Sequence, residues 1–259
     1  MRTRTRDIRW PIIRWPWAML LIGAICCAPA ARGQQTSASL TPDQEFVAAI
    51  RRGETAKVRE LLQQNPALAR DSGERGITAV LMSVYAKQPE ITKVLLSSGV
   101  ELNIFEAAAT GNSERVRALL KENPSLISAY SADGWTALHL NFGNLEIAEL
   151  LLKSGADVNA VSKNKFVATP LQGSVVMKRL DLAQLLLAHG AKVNVRGEGG
   201  GSPLHEAAGS GLIDFATLLL EHGADVNAKD DENKTPLTIA LEYKQPAMAK
   251  FLREHGAVQ

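Results

Sequence analysis

The chain has 259 residues, with 29 basic and 27 acidic side chains that give a net charge of +2. Residues 1–33 hold six arginines and one acid, so 23 basic and 26 acidic residues remain after them, a net charge of −3. This balance argues against nucleic acid as a partner, and because both cysteines lie within residues 1–33, the remainder has neither a disulfide framework nor a cysteine nucleophile.

The first 33 residues have the pattern of a secretory signal peptide. An arginine-rich start precedes an apolar run from Ala18 to Ala28, and small residues then suit cleavage before Gln34 or before Ala31. A retained membrane anchor is the alternative, but the run of about 11 residues is shorter than the roughly 20 that a spanning helix needs. Residues 34–40 predict a flexible linker. We expect a periplasmic or secreted protein with no stable membrane insertion after cleavage.

Beyond residue 40 the sequence repeats with a period near 33 residues. Thr136, Thr169, Ser202 and Thr235 follow one another at this spacing, and an apolar block and a glycine come after each. Thr or Ser can cap a first helix, proline fits its first turn, and the glycine can end a second helix in left-handed geometry. One such unit cannot bury its apolar face alone, so the units must stack. We predict seven units, beginning near Thr41, Gly76, Ile104, Gly134, Ala168, Gly201 and Lys234.

These recurring motifs, Thr-Pro-Leu-His and Gly-Ala-Asp-Val-Asn in their fullest forms, resemble those of the ankyrin repeat family. The resemblance covers residues 41–259, essentially everything after the leader and linker. It implies an all-α fold, an ankyrin-repeat solenoid of about seven helix-turn-helix units with β-hairpin loops.

Two irregularities interrupt the pattern. After Asn103 there is almost no hairpin before the helix that begins near Ile104, which suggests a possible break between two sub-arrays at 103–104. In the fourth unit four positions separate His139 from Gly143, two fewer than in the sixth unit, while the following hairpin is two residues longer. We therefore predict a shortened first helix in the fourth unit and irregular geometry between residues 140 and 168.

No residue is assigned to catalysis, a cofactor or a metal. All five histidines occupy repeat positions, and one copy per unit does not bring ligands to a single point. Gly197–Gly201 lacks the lysine of a phosphate-binding loop, and Asp230–Glu232 fits an acidic hairpin, with Asn233 in a left-handed glycine slot, better than a calcium site. We predict a protein that is not an enzyme and needs no cofactor.

The candidate partner-binding residues come from the resemblance. Members of the ankyrin repeat family commonly make contact through hairpin tips and the outward face of each first helix, which line a concave surface. At these positions we expect exposed side chains, many of them aromatic, to anchor a protein partner. By register the set is Ile77, Tyr85, Trp135, Phe142, Lys163, Lys165, Phe166, Val176, Met177 and Tyr243. The predicted patch is centred on Trp135 and Phe166 with the two lysines as its polar rim, and packing between units is the alternative role for each residue.

Together these features predict an exported scaffold that binds another protein through its concave face and is itself a monomer. An inhibitor or regulator of an exported enzyme or toxin is a second interpretation. A small-ligand binder or an enzyme is a third.

Overall fold

The computed structural model describes residues 41–70, 73 and 76–258. The predicted signal peptide at 1–33 and linker at 34–40 lie outside the described residues. Within them the chain forms thirteen α-helices and no β-strand. The α-helices are α1 (Pro42–Arg52), α2 (Thr55–Gln64), α3 (Ala79–Tyr85), α4 (Pro89–Ser97), α5 (Ile104–Ala109), α6 (Ser113–Glu122), α7 (Leu145–Lys153), α8 (Pro170–Val176), α9 (Leu180–Ala188), α10 (Pro203–Gly209), α11 (Ile213–Glu221), α12 (Pro236–Glu242) and α13 (Pro246–Glu254). Short 3-10 helices occupy Pro66–Arg70, Pro124–Ser128, His139–Asn141 and Glu198–Gly200.

The helices pair along the chain into seven units. Each unit has an inner helix and then an outer helix; α1, α3, α5, α8, α10 and α12 are inner, and in the fourth unit the 3-10 turn His139–Asn141 takes that place. Inner helices pack on inner helices of adjacent units, as in α10 on α12, and outer helices pack on outer helices. A continuous apolar core fills the space between the two layers. The predicted all-α solenoid of about seven units is confirmed.

The helix ends follow the predicted chemistry. Thr169 caps α8 by accepting a hydrogen bond from the backbone N–H of Gln172 at 3.4 Å, and Pro170 occupies the first turn. The glycines after the outer helices are left-handed, with φ of 91° at Gly155. Equivalent values occur at Gly190, Gly223 and Gly256. Because a side chain in this geometry is strained, glycine is the residue expected there.

The hairpins are turns joined to one another by backbone hydrogen bonds. Each is closed across the loop, as between the Ser131 N–H and the Trp135 carbonyl at 2.8 Å. Successive hairpins then bond directly: the Gly134 carbonyl accepts from the Lys163 N–H at 2.8 Å, and similar bonds link the later units. In the described part of the chain the hairpin loops thus carry inter-unit hydrogen bonds without lengthening into strands.

The final asparagine of the Gly-Ala-Asp-Val-Asn motif ties each unit to the next. The Asn194 side chain donates to the Gly223 carbonyl at 2.9 Å and accepts from the Asp225 N–H at 2.9 Å. The equivalent asparagines of the fourth and sixth units, Asn159 and Asn227, make the same two bonds. Asn103 instead caps α5 in a reciprocal pair with Glu106, because the third unit starts without a hairpin.

The missing hairpin brings the second and fourth units together. The phenol of Tyr85, at the end of α3, donates a 2.8 Å hydrogen bond to the Asp133 carboxylate in the fourth hairpin. At Gly76 a Cβ atom would lie 2.9 Å from the Cβ of Ala132, so these two hairpins are neighbours. The division of the array at 103–104 stays a prediction.

Candidate functional site

The fourth unit is the irregular part of the inner layer. Its inner segment is the three-residue turn His139–Asn141, whereas α10 in the sixth unit runs for seven residues. The turn ends at Phe142 and Gly143, both left-handed with φ of 45° and 81°. The predicted shortening of the first helix is confirmed, and space is left beside it on the inner-helix face.

A cavity of about 340 Å³ opens at this place. Its walls come from three units: α3 and its following turn, the shortened fourth unit, and α8 with its following turn. The lining residues are Tyr85, Lys87, Trp135, His139, Leu140, Phe142, Ala168, Gly173, Val176, Met177, Lys178 and Arg179. All of them belong to an inner helix or 3-10 turn, to the turn that follows one, or to a hairpin. The cavity therefore lies on the inner-helix face of the stack.

Aromatic rings form the walls of the cavity. The edge of Tyr85 meets Phe142 with 6.1 Å between ring centroids, and Trp135 lies 5.3 Å from the His139 ring. Behind the wall Phe166 stacks on Trp135 at 5.9 Å. Burial, with a smaller contribution from the Asp133 carboxylate, raises the pKa of the Tyr85 phenol. Tyr85 is thus fixed as a neutral hydrogen-bond donor with an apolar ring facing the cavity.

Cationic side chains stand at the rim. Lys87 and Lys178 are exposed in the turns after α3 and α8, and the described part of the chain gives neither of them an ion pair. Arg179 is already paired, because both oxygens of the Asp181 carboxylate accept from its guanidinium at 3.0 and 2.7 Å. Two unpaired positive charges therefore flank an apolar interior.

Gly173 contributes to the open space. It is the fourth residue of α8, and the other six units carry a side chain at this position: Glu45, Met82, Ala107, Leu140, Glu206 and Ile239. A Cβ atom on Gly173 would meet only Met177 Cε, at 3.9 Å, which is ordinary van der Waals contact. The cavity thus has two causes, a short fourth inner segment and an absent side chain in the fifth unit.

Gly173→Ala is expected to raise the free energy of unfolding by about 0.5–1 kcal/mol, because glycine inside a helix is less favourable than alanine by roughly that amount. Thermal or urea unfolding measures the change. Gly209→Ala is the matched control, since its Cβ would lie 3.2 Å from Ile239 Cγ2 and the neighbouring unit would have to give way. If Gly173→Ala is no more stable than the Gly209→Ala control, the conclusion that a side chain can be added at Gly173 without a clash is wrong.

The cavity gathers part of the predicted partner-binding set. Tyr85, Trp135, Phe142, Val176 and Met177 line it, and Phe166 supports it from behind. The remaining members, Ile77, Lys163, Lys165 and Tyr243, do not line it. Lys163 Nζ lies 4.0 Å from the centroid of the Tyr130 ring, and Lys165 Nζ lies 5.1 Å from that of the Phe166 ring. The two hairpin lysines therefore contact nearby aromatic rings and do not line the cavity.

The expectation of exposure was wrong for four of these residues. Ile77, Tyr85, Trp135 and Phe166 are 5%, 3%, 5% and 8% exposed. The side-by-side contact of successive hairpins buries Ile77, Trp135 and Phe166, and the fourth hairpin covers Tyr85 at the end of α3. Tyr85 and Trp135 therefore line the cavity as nearly buried wall residues, with Phe166 behind Trp135. The half-buried Phe142 and Met177 are the more exposed of the large apolar residues that line it.

The sequence reasoning missed Lys87, Lys178, Arg179 and Gly173. The lysines stand where other units have glycine in a left-handed turn, with φ of 54° at Lys87 and 56° at Lys178. Gly173 likewise differs from the equivalent residue of every other unit, since each of those residues has a side chain. Comparing each helix and turn position across all seven units would have singled out Gly173 and both lysines.

The histidines have structural roles. His139 Nδ1 lies 2.8 Å from Thr136 Oγ1 while Nε2 bonds the Ala168 carbonyl at 3.0 Å, and His205 repeats the arrangement with Ser202 and Lys234. The other three histidines bond a carbonyl one turn earlier in their helices. The described residues contain no group of three or more His, Cys, Asp or Glu side chains that could hold a metal ion.

The two polar loops are used by the fold. The Asp230 carboxylate accepts from the Glu232 and Lys234 N–H groups, each at 2.8 Å, and Asn233 is left-handed with φ of 61°, which confirms the predicted hairpin geometry. Arg196 reaches across the glycine loop to Asp231 at 2.6 Å. In the part of the chain that the structure describes, no helix has the length and apolar character that crossing a membrane would take.

Comparison with known proteins gives consistent matches. The family model for ankyrin repeats (3 copies) matches residues 104–162 and 175–259. The chain is 33% identical over 149 residues to the B-cell lymphoma 3 protein homolog of Mus musculus, with 52% of this chain and 33% of that protein covered. It is 32% identical over 149 residues to the nuclear factor NF-kappa-B p105 subunit of Gallus gallus, covering 52% of this chain and 15% of that protein.

A third relative is matched over more of its own length. The chain is 31% identical over 172 residues to the probable 26S proteasome regulatory subunit p28 of Saccharomyces cerevisiae, covering 60% of this chain and 74% of that protein. The chain thus spans a third or less of the mouse and chicken relatives and most of the yeast one.

Proposed function

This chain belongs to the ankyrin repeat family, and from that premise we propose that it is an exported, non-enzymatic scaffold that holds a protein partner against its inner-helix face. Repeats of this family generally serve as protein–protein interaction scaffolds. Members of the family commonly bind through a concave surface, and we assign that role to the inner-helix face of this chain. Export is supported by the arginine-rich start and apolar run of residues 1–33.

The observation that carries the proposal is the cavity itself. It interrupts an otherwise regular inner layer, and it is lined by aromatic rings and Met177 from three units. Buried aromatic and apolar pockets with a polar rim are the places where protein interfaces concentrate their binding energy. If the stack served only as a rigid support, side chains that filled this space would add packing contacts and make it more stable.

Site-specific photo-cross-linking in the organism that produces the chain tests the face of contact. A photo-reactive residue at Lys178, on the cavity rim, is expected to form an adduct with one protein. The matched control is Lys244, which occupies the same left-handed turn two units later and does not line the cavity. No adduct at 178, or the same adducts at both positions, would sink the proposal. Truncating Trp135 or Phe166 would be a poorer test, since loss of a buried aromatic costs about 3–5 kcal/mol of stability.

A further inference from the structure

The cavity has a composition that selects one kind of occupant. Its interior is formed by the rings of Tyr85, Trp135 and Phe142 with Met177 beside them. Buried apolar and aromatic walls favour a flat, apolar side chain through area burial and ring–ring contact. A volume of about 340 Å³ is roughly twice the 150 Å³ that encloses a benzene ring, so one large aromatic side chain and its backbone fit.

The charges around the cavity are unbalanced. Lys87 approaches from the second unit and Lys178 from the fifth, so that positive charge stands at both ends of the cavity along the stack. The nearby acids are already engaged: Asp181 binds the Arg179 guanidinium, and Asp133 accepts hydrogen bonds from Tyr85 and Ser131 behind the wall. Carboxylates of a bound chain would complement the two free ammonium groups.

We propose that the cavity is an anchor site for one aromatic side chain of a peptide segment in the protein partner, with acidic residues on both sides of that side chain. The inference rests on the proposed function, since it supplies the recognition chemistry of the same face. A segment running along the stack places its carboxylates near Lys87 and Lys178 at once. Residues 1–33 of this chain carry six arginines and one acid, so they are positively charged like the two rim lysines and do not match the acidic occupant.

Gly173 keeps the anchor site open. Gly173 lines the cavity, and a Cβ atom added there would meet only Met177 Cε, at 3.9 Å, so we expect a larger side chain at this position to extend into the open space. Gly173→Leu therefore blocks the site while leaving the fold intact. Lys178→Gly and Lys87→Gly remove the rim charges and place glycine in turns where Gly53, Gly111, Gly143 and Gly211 already stand, so these variants also fold.

A display library of random peptides is selected on residues 34–259, and the enriched sequences are counter-screened on Gly173→Leu. We expect enriched peptides to carry Trp, Tyr or Phe between Asp or Glu residues and to lose binding to the blocked variant. Enriched peptides without this pattern, equal binding to Gly173→Leu, or no enrichment would each overturn the proposal.

The best peptide is then synthesised and titrated against the variants. Gly173→Leu is expected to weaken binding by about 100-fold, as for loss of a hot spot, and each rim lysine variant by about 3–10-fold with a reduced dependence on salt. Lys244→Gly is the control and is expected to leave binding unchanged, while its melting temperature moves as in Lys178→Gly. Indoleacetate binding as tightly as the peptide would overturn the peptide assignment in favour of a small aromatic anion.

The two proposals fail in different ways. If cross-links form at position 178 but Gly173→Leu leaves partner binding unchanged, the scaffold function stands and the anchor inference falls. If no protein is cross-linked at the rim, the scaffold function itself falls, and the anchor inference with it.

Discussion

Gly134→Ala is expected to lower the free energy of unfolding by about 3 kcal/mol, the largest loss expected here from adding a single carbon atom. Gly134 has φ of 85°, and an added Cβ would lie 2.7 Å from the backbone carbonyl carbon of Lys163 and 2.8 Å from its oxygen. The obstacle is backbone, which cannot rotate away as a side chain can. The Gly134 carbonyl also accepts the Lys163 N–H that joins two hairpins, so relief of the clash would break that bond.

Gly155→Ala provides the control for Gly134→Ala. Its φ of 91° imposes the same left-handed geometry, but no atom lies within 4 Å of an added Cβ. We expect a loss of only about 1 kcal/mol, the cost of an alanine in this region of the backbone map. Urea unfolding followed by circular dichroism measures both variants. Equal losses would show that backbone geometry alone, without the contact between hairpins, accounts for the effect.

The local elements could be predicted from the sequence because their causes are local. The capping threonine and proline of α8, and the left-handed glycine after α7, depend on residues within a single turn of chain. The repeated spacing then determined the stacking, since each unit needs a neighbour to cover its apolar face. Even the short fourth inner segment was visible in the spacing of His139 and Gly143.

The site could be predicted only in part because its causes lie between units. Tyr85 is buried by a hairpin nearly fifty residues further along the chain, which reaches it only because the third unit lacks a hairpin of its own. Trp135 is covered by Phe166 of the next hairpin. The cavity depends on Gly173, a residue whose importance is the side chain that it lacks. A pattern within one repeat contains none of this information.

The dependence of stability on pH is expected to be the sum of two opposing contributions, the first from His139. Burial lowers the pKa of His139 from 6.5 to about 4, and the hydrogen bond to the Ala168 carbonyl opposes this only in part. The unfolded chain therefore binds this proton first as the pH falls. The neutral imidazole stabilises the fold fully above pH 6.5, and up to about 3 kcal/mol is lost as the pH falls towards 4. Burial also lowers the pKa of His205, which acts in the same direction.

Glu206 acts in the opposite direction. Burial raises the pKa of its carboxyl from 4.5 to about 7, so the folded chain keeps this proton where the unfolded chain has released it. Stability is therefore lost as the pH rises from 4.5 to 7, by up to about 3 kcal/mol. Because the two windows overlap, we expect the native chain to show a weak dependence on pH between about 4 and 7.

Two substitutions separate these contributions. The chain itself contains a precedent for His139→Gln, since Gln172 occupies the same position in α8, accepts from the Thr169 N–H at 3.0 Å and donates to the Gly201 carbonyl at 3.2 Å. Relative to the native chain, this variant is expected to lose stability as the pH rises from 4.5 to 7, because the His139 contribution no longer offsets that of Glu206. Glu206→Gln is expected to gain stability over the same interval, because the histidine contributions remain. Free energies of unfolding measured in urea at several pH values give both slopes, and parallel curves for the two variants would show that neither buried group controls the stability of the stack.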